Sequence, residues 1–204
     1  MGEFGANDYR FSLGSNKSVE EARSYVPAIV NTISNGVERL IHHGARYVVV
    51  ADMFPIGCMP AVLTLMGSRN KADYDRHGCL KNFNTMLSQY QNAILRQRVE
   101  VLRKKYPHTK IVFAEYYRAI VALLQEPEHF GFNRSTTLVS CWGGGGPHNF
   151  NPRAPCGAPG AAACPSPSTA IYWDAFHLTE SSYRNIAHGW LHGPYADPPI
   201  LHLP

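Results

Sequence analysis

The 204-residue sequence lacks the features that mark several large classes of protein. No run approaches the roughly 18 uninterrupted apolar residues that a membrane-spanning helix needs, so we expect no membrane span. The first ten residues contain neither a basic flank nor an apolar run, so we expect no signal peptide in this chain. No helix-turn-helix, zinc-finger or RNA-binding signature is present, so we expect no nucleic-acid partner.

Charge is sparse and spread along the chain. The formal net charge is +4, from 19 basic and 15 acidic residues. The one dense basic cluster is Arg103-Lys104-Lys105, at the end of a predicted helix. Cations favour the negative end of the helix dipole, so we interpret the cluster as a solvated helix terminus.

The cysteines lack metal-site spacing. None forms a CxxC pair, which argues against a zinc ribbon and a thioredoxin-like redox site. They lie in segments rich in glycine and proline, which suits disulfides that hold irregular structure: Cys58, Cys79, Cys141, Cys156 and Cys164. Two sequons, at Asn16 and Asn133, are candidate glycosylation sites and fit a protein of the secretory pathway.

Two other patterns suggest ligand sites but lack residues that such sites need. Gly143–Gly146 resembles a phosphate loop, but no Lys-Ser or Lys-Thr follows, so a tight or flexible turn is expected. His188 and His192 are spaced i,i+4 and could share a metal ion on one helix face. No Glu follows the first of them and no third ligand is apparent, so we expect neither a metal nor a cofactor.

The succession of helices and strands predicts an α/β fold. A helix is expected from the N-cap Ser18 to Gly44, with Pro27 kinking it or dividing it in two. Residues 46–51 and 110–114 are apolar, β-branched runs typical of parallel strands buried on both faces. Further helices are expected at about 80–106, at about 117–125, and from the N-cap Thr179 to about 193, with residues 127–172 irregular.

Helices alternating with strands indicate an open sheet covered on both faces. Two strands alone make a poor sheet. The two long helices have apolar stripes that should cover more sheet than these strands form. We therefore expect further strands in a segment upstream of this chain.

The segment from Trp173 to Glu180 contains the sharpest chemical pattern. It precedes the last predicted helix, where side chains can project into a cleft at the end of a sheet. Asp174 can accept a proton from one ring nitrogen of His177, which leaves the other nitrogen as a base for a hydroxyl nucleophile. The pattern DxxH alone is weak evidence for catalysis, because an ordinary aspartate at a helix start followed by a surface histidine has the same pattern.

Several separated segments together resemble one family. Gly5-Ala6-Asn7-Asp8 resembles the third sequence block of the plant-type GDSL esterases/lipases in the SGNH hydrolase superfamily, and Asp174-Ala175-Phe176-His177 resembles the fifth. Four segments between them follow the same family in order and spacing: Pro55–Pro60, Asp75–Leu80, Phe113–Tyr117 and Gly143–Phe150. The resemblance covers essentially all 204 residues.

The resemblance implies a fold and a set of roles. The fold would be the three-layer α/β/α, flavodoxin-like SGNH hydrolase fold, with residues 1–204 as the C-terminal part of a single domain whose first strands are missing. Asn7 would donate its side-chain N–H to an oxyanion hole, His177 would be the general base, and Asp174 would orient it.

The family's nucleophile lies in a Gly-Asp-Ser block, and a second block carries an oxyanion-hole glycine. Neither block occurs here, nor does a Gly-x-Ser-x-Gly elbow, so we expect both upstream and expect this chain alone to be inactive. Cys58 could act as a nucleophile towards His177, but a disulfide with Cys79 is favoured. Cys156–Cys164 is the second expected disulfide, and the partner of Cys141 stays open because relatives often have a cysteine where Trp142 stands.

Three functions are compatible with this interpretation. The first is hydrolysis of a small-molecule or lipid acyl ester by a Ser-His-Asp mechanism. The second is a non-catalytic protein that reuses the hydrolase cleft for binding. The third is acyl transfer to a polysaccharide, which shares the same acyl-enzyme chemistry. We expect a secreted, monomeric full-length protein.

Overall fold

The computed structural model describes residues 2–202, which form two compact units. The sheet unit comprises the residues up to Ile56, Asn82–Arg118 and the residues from His188 onward. The loop unit comprises Gly57–Lys81 and Ala119–Ala187. Between residues 2 and 202, no helix is both long enough and apolar enough to cross a bilayer.

The sheet unit is built on two parallel strands, as the sequence predicts. Strand β1 (Tyr47–Ala51) pairs with β2 (Lys110–Ala114) from Tyr47 opposite Lys110 to Ala51 opposite Ala114. A third strand, β5 (Ala196–Asp197), pairs antiparallel with β2 and was not predicted. It has only two residues, so no periodicity could reveal it.

Helices α1 (Ala6–Gly14), α2 (Val19–Ser24) and α3 (Val26–His42) precede β1. Ser18 caps α2 in a reciprocal pair with Glu21, whose backbone N–H donates to Ser18 Oγ while its carboxylate accepts the Ser18 N–H. The expected division at Pro27 is confirmed, because a new helix begins with that proline in its first turn. The buried face of α3 follows the helical period: Val26, Ile29, Val30, Ile33 and Val37.

The long helical segment between the strands is interrupted. It comprises α5 (Lys81–Phe83), a π-helical segment (Asn84–Gln89) and α6 (Tyr90–Lys105), where a single helix was expected. Leu95, Val99 and Leu102 form the buried stripe of α6. Helix α7 (Tyr116–Gln125) follows β2 directly.

In the loop unit, α4 (Pro60–Met66), the two-residue strands β3 (Trp142–Gly143) and β4 (Ala162–Ala163), and the start of α8 (Glu180–His192) are joined by turns and short 3₁₀ helices. Thr179 caps α8 as expected, since its Oγ1 accepts the backbone N–H of Ser182 at 3.3 Å. Residues 127–172 are largely irregular, in agreement with their composition.

Two disulfides hold the loop unit. Cys58 is bonded to Cys79, which confirms the pairing favoured from the sequence. The expected Cys156–Cys164 disulfide is wrong, because Cys164 is bonded to Cys141. The reason is the register of the β3–β4 ladder. Trp142 lies opposite Ala163, so the preceding residue faces Cys164, whose N–H also donates to the Cys141 carbonyl at 2.7 Å.

Asp52, the residue after β1, is a buried carboxyl group that caps a helix from outside it. Its Oδ1 accepts the backbone N–H of Tyr117, in the first turn of α7, at 3.0 Å. Burial nevertheless raises the pKa of Asp52 to about 7, and nearby Glu115 adds to the rise. Desolvation of the charged form therefore outweighs the stabilising N–H groups.

The raised pKa of Asp52 predicts a pH dependence of stability. A carboxyl group whose folded pKa exceeds its unfolded value stabilises the fold most below the unfolded pKa, and this is lost as pH rises through the folded pKa. The free energy of unfolding should thus fall between about pH 4 and pH 7, by at most about 4 kcal/mol from this group. Asp52→Asn keeps the acceptor oxygen and should remove this part of the slope. Urea denaturation of both proteins at several pH values measures it, and equal slopes would contradict it.

The disulfide pattern predicts a single reactive thiol. Cys156 is exposed and unpaired, whereas the other four cysteines are bonded. Alkylation of the folded, non-reduced chain should label Cys156 alone, and non-reducing peptide mapping should recover Cys141 linked to Cys164. Labelling of Cys141, with Cys156 found bonded to Cys164, would contradict this assignment.

Candidate active site

The Asp174–His177 segment is a closed turn. Its ends pair as strands do, with Tyr172 bridged to Leu178, and the Trp173 N–H donates to the His177 carbonyl at 2.8 Å. Inside the turn, Asp174 Oδ1 accepts the backbone N–H groups of Phe176 at 2.8 Å and His177 at 2.7 Å. This is the local turn geometry that aspartate favours. One oxygen of Asp174 therefore fixes the backbone that carries His177.

The same carboxylate contacts the imidazole ring. His177 Nδ1 lies 2.8 Å from Asp174 Oδ2 and 3.0 Å from Oδ1. An ionised carboxylate only accepts hydrogen bonds, so Nδ1 carries the proton in this pair. The Asp174 side chain is 20% exposed and the His177 side chain 68% exposed, so Nε2 of the ring is open to a reactant. The structure thus brings these two predicted residues together in the arrangement of an orienting carboxylate and a base.

Backbone hydrogen bonds hold the turn from one side. The N–H groups of Cys141 and Trp142 donate to the carbonyls of Tyr172 and Trp173, at 2.9 and 2.7 Å. Since Cys141 is also bonded to Cys164, the disulfide anchors the strand that supports the turn. The role of Cys141 was not predicted, because it depends on the register of two very short strands.

On the other side, Thr179 and Ser182 tie the turn to the start of α8. Thr179 Oγ1 donates to the Ala170 carbonyl at 2.7 Å, and Ser182 Oγ donates to the Ile171 carbonyl at 2.8 Å. Both residues are buried, so these hydrogen bonds also satisfy hydroxyl groups that water does not reach.

Half-buried aromatic side chains flank the turn within the loop unit. Trp142 meets Trp173 edge to face at 5.3 Å between ring centroids, and Phe150 meets Phe176 in the same way at 5.6 Å. The glycine-rich segment between Trp142 and Phe150 is tightly packed, since a Cβ on Gly143 would lie 1.7 Å from the Asn149 carbonyl oxygen. This agrees with a tight turn at Gly143–Gly146.

Asn7, the third predicted residue, lies in the sheet unit, exposed in the first turn of α1. Gly5 precedes it with a φ of 104°, a left-handed conformation that glycine adopts without steric cost. Glycine is also required for space, because a Cβ there would lie 2.9 Å from Gln91 Oε1 and 3.0 Å from Ile29 Cγ2.

Gln91, a fully buried residue of α6, holds the turn before Asn7. Its Nε2 donates to the Phe4 carbonyl at 2.9 Å, and its Oε1 accepts the Tyr9 hydroxyl hydrogen at 2.5 Å. These two contacts bracket the chain on either side of Asn7. Gln91 was not predicted from the sequence, although its place between Leu87 and Leu95 in a buried stripe of the helical segment was a detectable signal.

The other candidate residues are exposed. Asn16 and Asn133, the two sequon asparagines, both face solvent, and Asn133 accepts hydrogen bonds from the N–H and Oγ of Ser135. His188 and His192 lie with ring centroids 4.7 Å apart. Over residues 2–202, no three His, Cys, Asp or Glu side chains converge as a metal site would require.

The family model described as GDSL-like Lipase/Acylhydrolase matches residues 1–190. GDSL esterase/lipase At1g28590 of Arabidopsis thaliana is 44% identical over 201 residues, which cover 98% of this chain and 49% of that protein. GDSL esterase/lipase At2g27360 of the same plant is 42% identical, covering 98% of this chain and 50% of that protein.

Sinapine esterase of Brassica napus is 39% identical over 199 residues, which cover 97% of this chain and 51% of that enzyme. The chain therefore spans about half the length of the curated relatives it matches. Because the family model covers most of the residues, the chain belongs to the GDSL-like lipase/acylhydrolase family.

Proposed function

We propose that this chain supplies the base and part of the oxyanion-binding machinery of a carboxylic-ester hydrolase. The observation that carries the proposal is the Asp174–His177 pair, in which one carboxylate fixes both the backbone and the ring of the histidine. Membership of a family whose relatives bear the names esterase and lipase supports the same chemistry. In this proposal, residues 1–204 are the C-terminal part of a single hydrolase domain.

The proposed reaction has two halves. A serine on a segment outside these residues attacks the acyl carbon, and Nε2 of His177 takes its proton while Asp174 stabilises the imidazolium. His177 then returns the proton to the leaving alcohol. Water, deprotonated by His177, attacks the acyl-enzyme, and the acid is released as the serine is regenerated.

Asn7 would bind the oxyanion in both halves. An amide N–H is a neutral donor with fixed direction, and loss of one such donor typically lowers kcat by about 10²–10³-fold. The Gly5 turn and the Gln91 contacts give the start of α1 a defined conformation, which is what a preorganised donor requires. The proposed substrate is a small-molecule or lipid acyl ester.

We further propose that the full-length protein is secreted and monomeric. Two disulfides in the loop unit suit an oxidising compartment. Both sequon asparagines are exposed, as glycosylation requires.

The proposal predicts the effect of substitutions at the pair. The experiment joins the part of GDSL esterase/lipase At1g28590 that precedes its match to this chain, and measures p-nitrophenyl ester hydrolysis. His177→Ala should lower kcat by about 10³-fold or more, because the serine loses its base. Asp174→Asn should cause a loss of about 10³–10⁴-fold. Its Oδ1 can still accept the backbone N–H groups of the turn, but its amide N–H favours the wrong tautomer of the imidazole.

His188→Ala is the matched control, since His188 is an exposed histidine outside the pair, and this variant should retain full activity. A fluorophosphonate probe should label the joined protein but not the 204-residue chain alone. An unchanged rate in His177→Ala, or an equal loss in His188→Ala, would contradict the assignment of the base.

A further inference from the structure

The sheet unit contains a cavity that the proposed ester chemistry does not use. It has a volume of about 270 Å³ and opens to solvent where β1 and β2 end. Ligands of open α/β sheets bind outside the carboxyl ends of the strands, so this is a favoured position for a site. Five polar residues of the lining come from both strand ends, from α6 and from the first turn of α7: Asp52, Asn92, Arg96, Glu115 and Arg118.

Two arginines in this cavity are held by the same carboxylate. Arg96 Nη2 lies 2.5 Å from Glu115 Oε1, and Arg118 Nη1 lies 2.6 Å from Glu115 Oε2. Each guanidinium also lies over an aromatic ring: Arg96 is 4.3 Å from the Phe113 centroid and Arg118 is 5.8 Å from the Tyr195 centroid. These contacts restrain both guanidinium groups in the absence of a ligand, which lowers the entropic cost of binding one.

Both arginines have N–H groups that Glu115 does not engage. A guanidinium has five N–H groups, and Glu115 engages one nitrogen of each. The two side chains are 42% and 59% exposed, whereas that of Glu115 is 10% exposed. The carboxylate is therefore largely shielded from solvent, whereas both arginine side chains are partly accessible to it.

The balance of charge in the cavity is positive. Arg96 and Arg118 face one paired carboxylate, Glu115. Asp197 also approaches Arg96, but at 4.0 Å, and it lies closer to Arg103, at 3.1 Å. The second carboxyl group in the lining is Asp52, and burial raises its pKa to about 7, so it is protonated in a large fraction of molecules near neutral pH.

We propose that this cavity is a binding site for a small oxyanion, a carboxylate or a tetrahedral oxyanion such as sulfate or phosphate. Arg96 and Arg118 bind its oxygens through their remaining N–H groups, because a guanidinium matches the geometry of both anion types. The site is assigned independently of the ester chemistry and involves neither His177 nor Asn7.

The proposal includes a dependence on pH. Asp52 is faced by Glu115 after β2, by Arg96 from α6 and by the backbone N–H groups of Tyr116 and Tyr117 at the start of α7. Ionised Asp52 would repel a bound anion and neutral Asp52 would not. Affinity should therefore fall as pH rises from about 6 to about 8, since the pKa of Asp52 lies between them.

Isothermal titration of the 204-residue chain with sodium sulfate and with sodium benzoate, in chloride of matched ionic strength, tests the site. Both probes keep a constant charge between pH 6 and pH 8. We expect saturable 1:1 binding of at least one, and the probe that binds better identifies the anion type. Absence of saturable binding by both would overturn the proposal.

Arg118→Gln should weaken binding by about tenfold or more, because a charge-assisted pair is lost. Arg98→Gln is the matched control: it removes the same charge from an exposed position of α6 outside the cavity and should bind like the unmodified chain. Equal weakening in both variants, each shown to be folded by circular dichroism, would mean attraction by net charge alone and would overturn the site.

Asp52→Asn should make the affinity independent of pH, and a retained pH dependence would overturn the role of Asp52.

Discussion

The parallel pairing of β1 with β2 is the constraint on which the sheet unit depends. Its register sets Ala51 opposite Ala114, so the next residue of each strand, Asp52 and Glu115, emerges at the same edge. Both are carboxylic acids in buried positions, where an unpaired charge is costly. Glu115 is compensated by two arginines, whereas Asp52 relies on N–H groups at the start of α7. One strand register thus places two adjacent carboxyl groups in different surroundings, one beside two guanidinium groups and one beside backbone N–H groups.

In the loop unit, a single carboxylate, that of Asp174, holds both a turn and a side chain. Asp174 accepts two backbone N–H groups and the imidazole N–H of His177, so the turn cannot form correctly without also orienting the ring. The turn in turn depends on its flanks, where Cys141 and Trp142 supply backbone donors and Thr179 anchors the next helix. Positioning of the proposed base is therefore a property of the backbone network as much as of the side-chain pair, which explains why a four-residue motif can be so compact.

The features that depend on neighbouring residues, such as helix caps and short strands, could be predicted from the sequence. The cap at Ser18, the division at Pro27, the cap at Thr179 and the two parallel strands were all visible from neighbouring residues or short periodicity. What the sequence did not reveal depends on contacts between distant residues. The Cys141–Cys164 pairing follows from the register of a two-residue ladder, and the Asn7 turn depends on Gln91, more than 80 residues later. The expected Cys156–Cys164 pair was wrong, because the sequence carries no information on the register of so short a ladder.

Three buried polar side chains of the sheet unit are each held by hydrogen bonds or ion pairs, but they differ in charge: Gln91, Glu115 and Asp52. Gln91 has a neutral side chain whose amide donates to the Phe4 carbonyl and accepts from the Tyr9 hydroxyl. It therefore fixes the conformation of the chain around Asn7 and contributes no ionisable group. Glu115 is charged and paired, so it fixes two cations at the mouth of a cavity. Asp52 is neither fully paired nor neutral over the whole physiological range, since its pKa lies at about 7. Because the pKa of Asp52 lies within the physiological range, Asp52 is a group through which proton concentration can alter what the cavity binds.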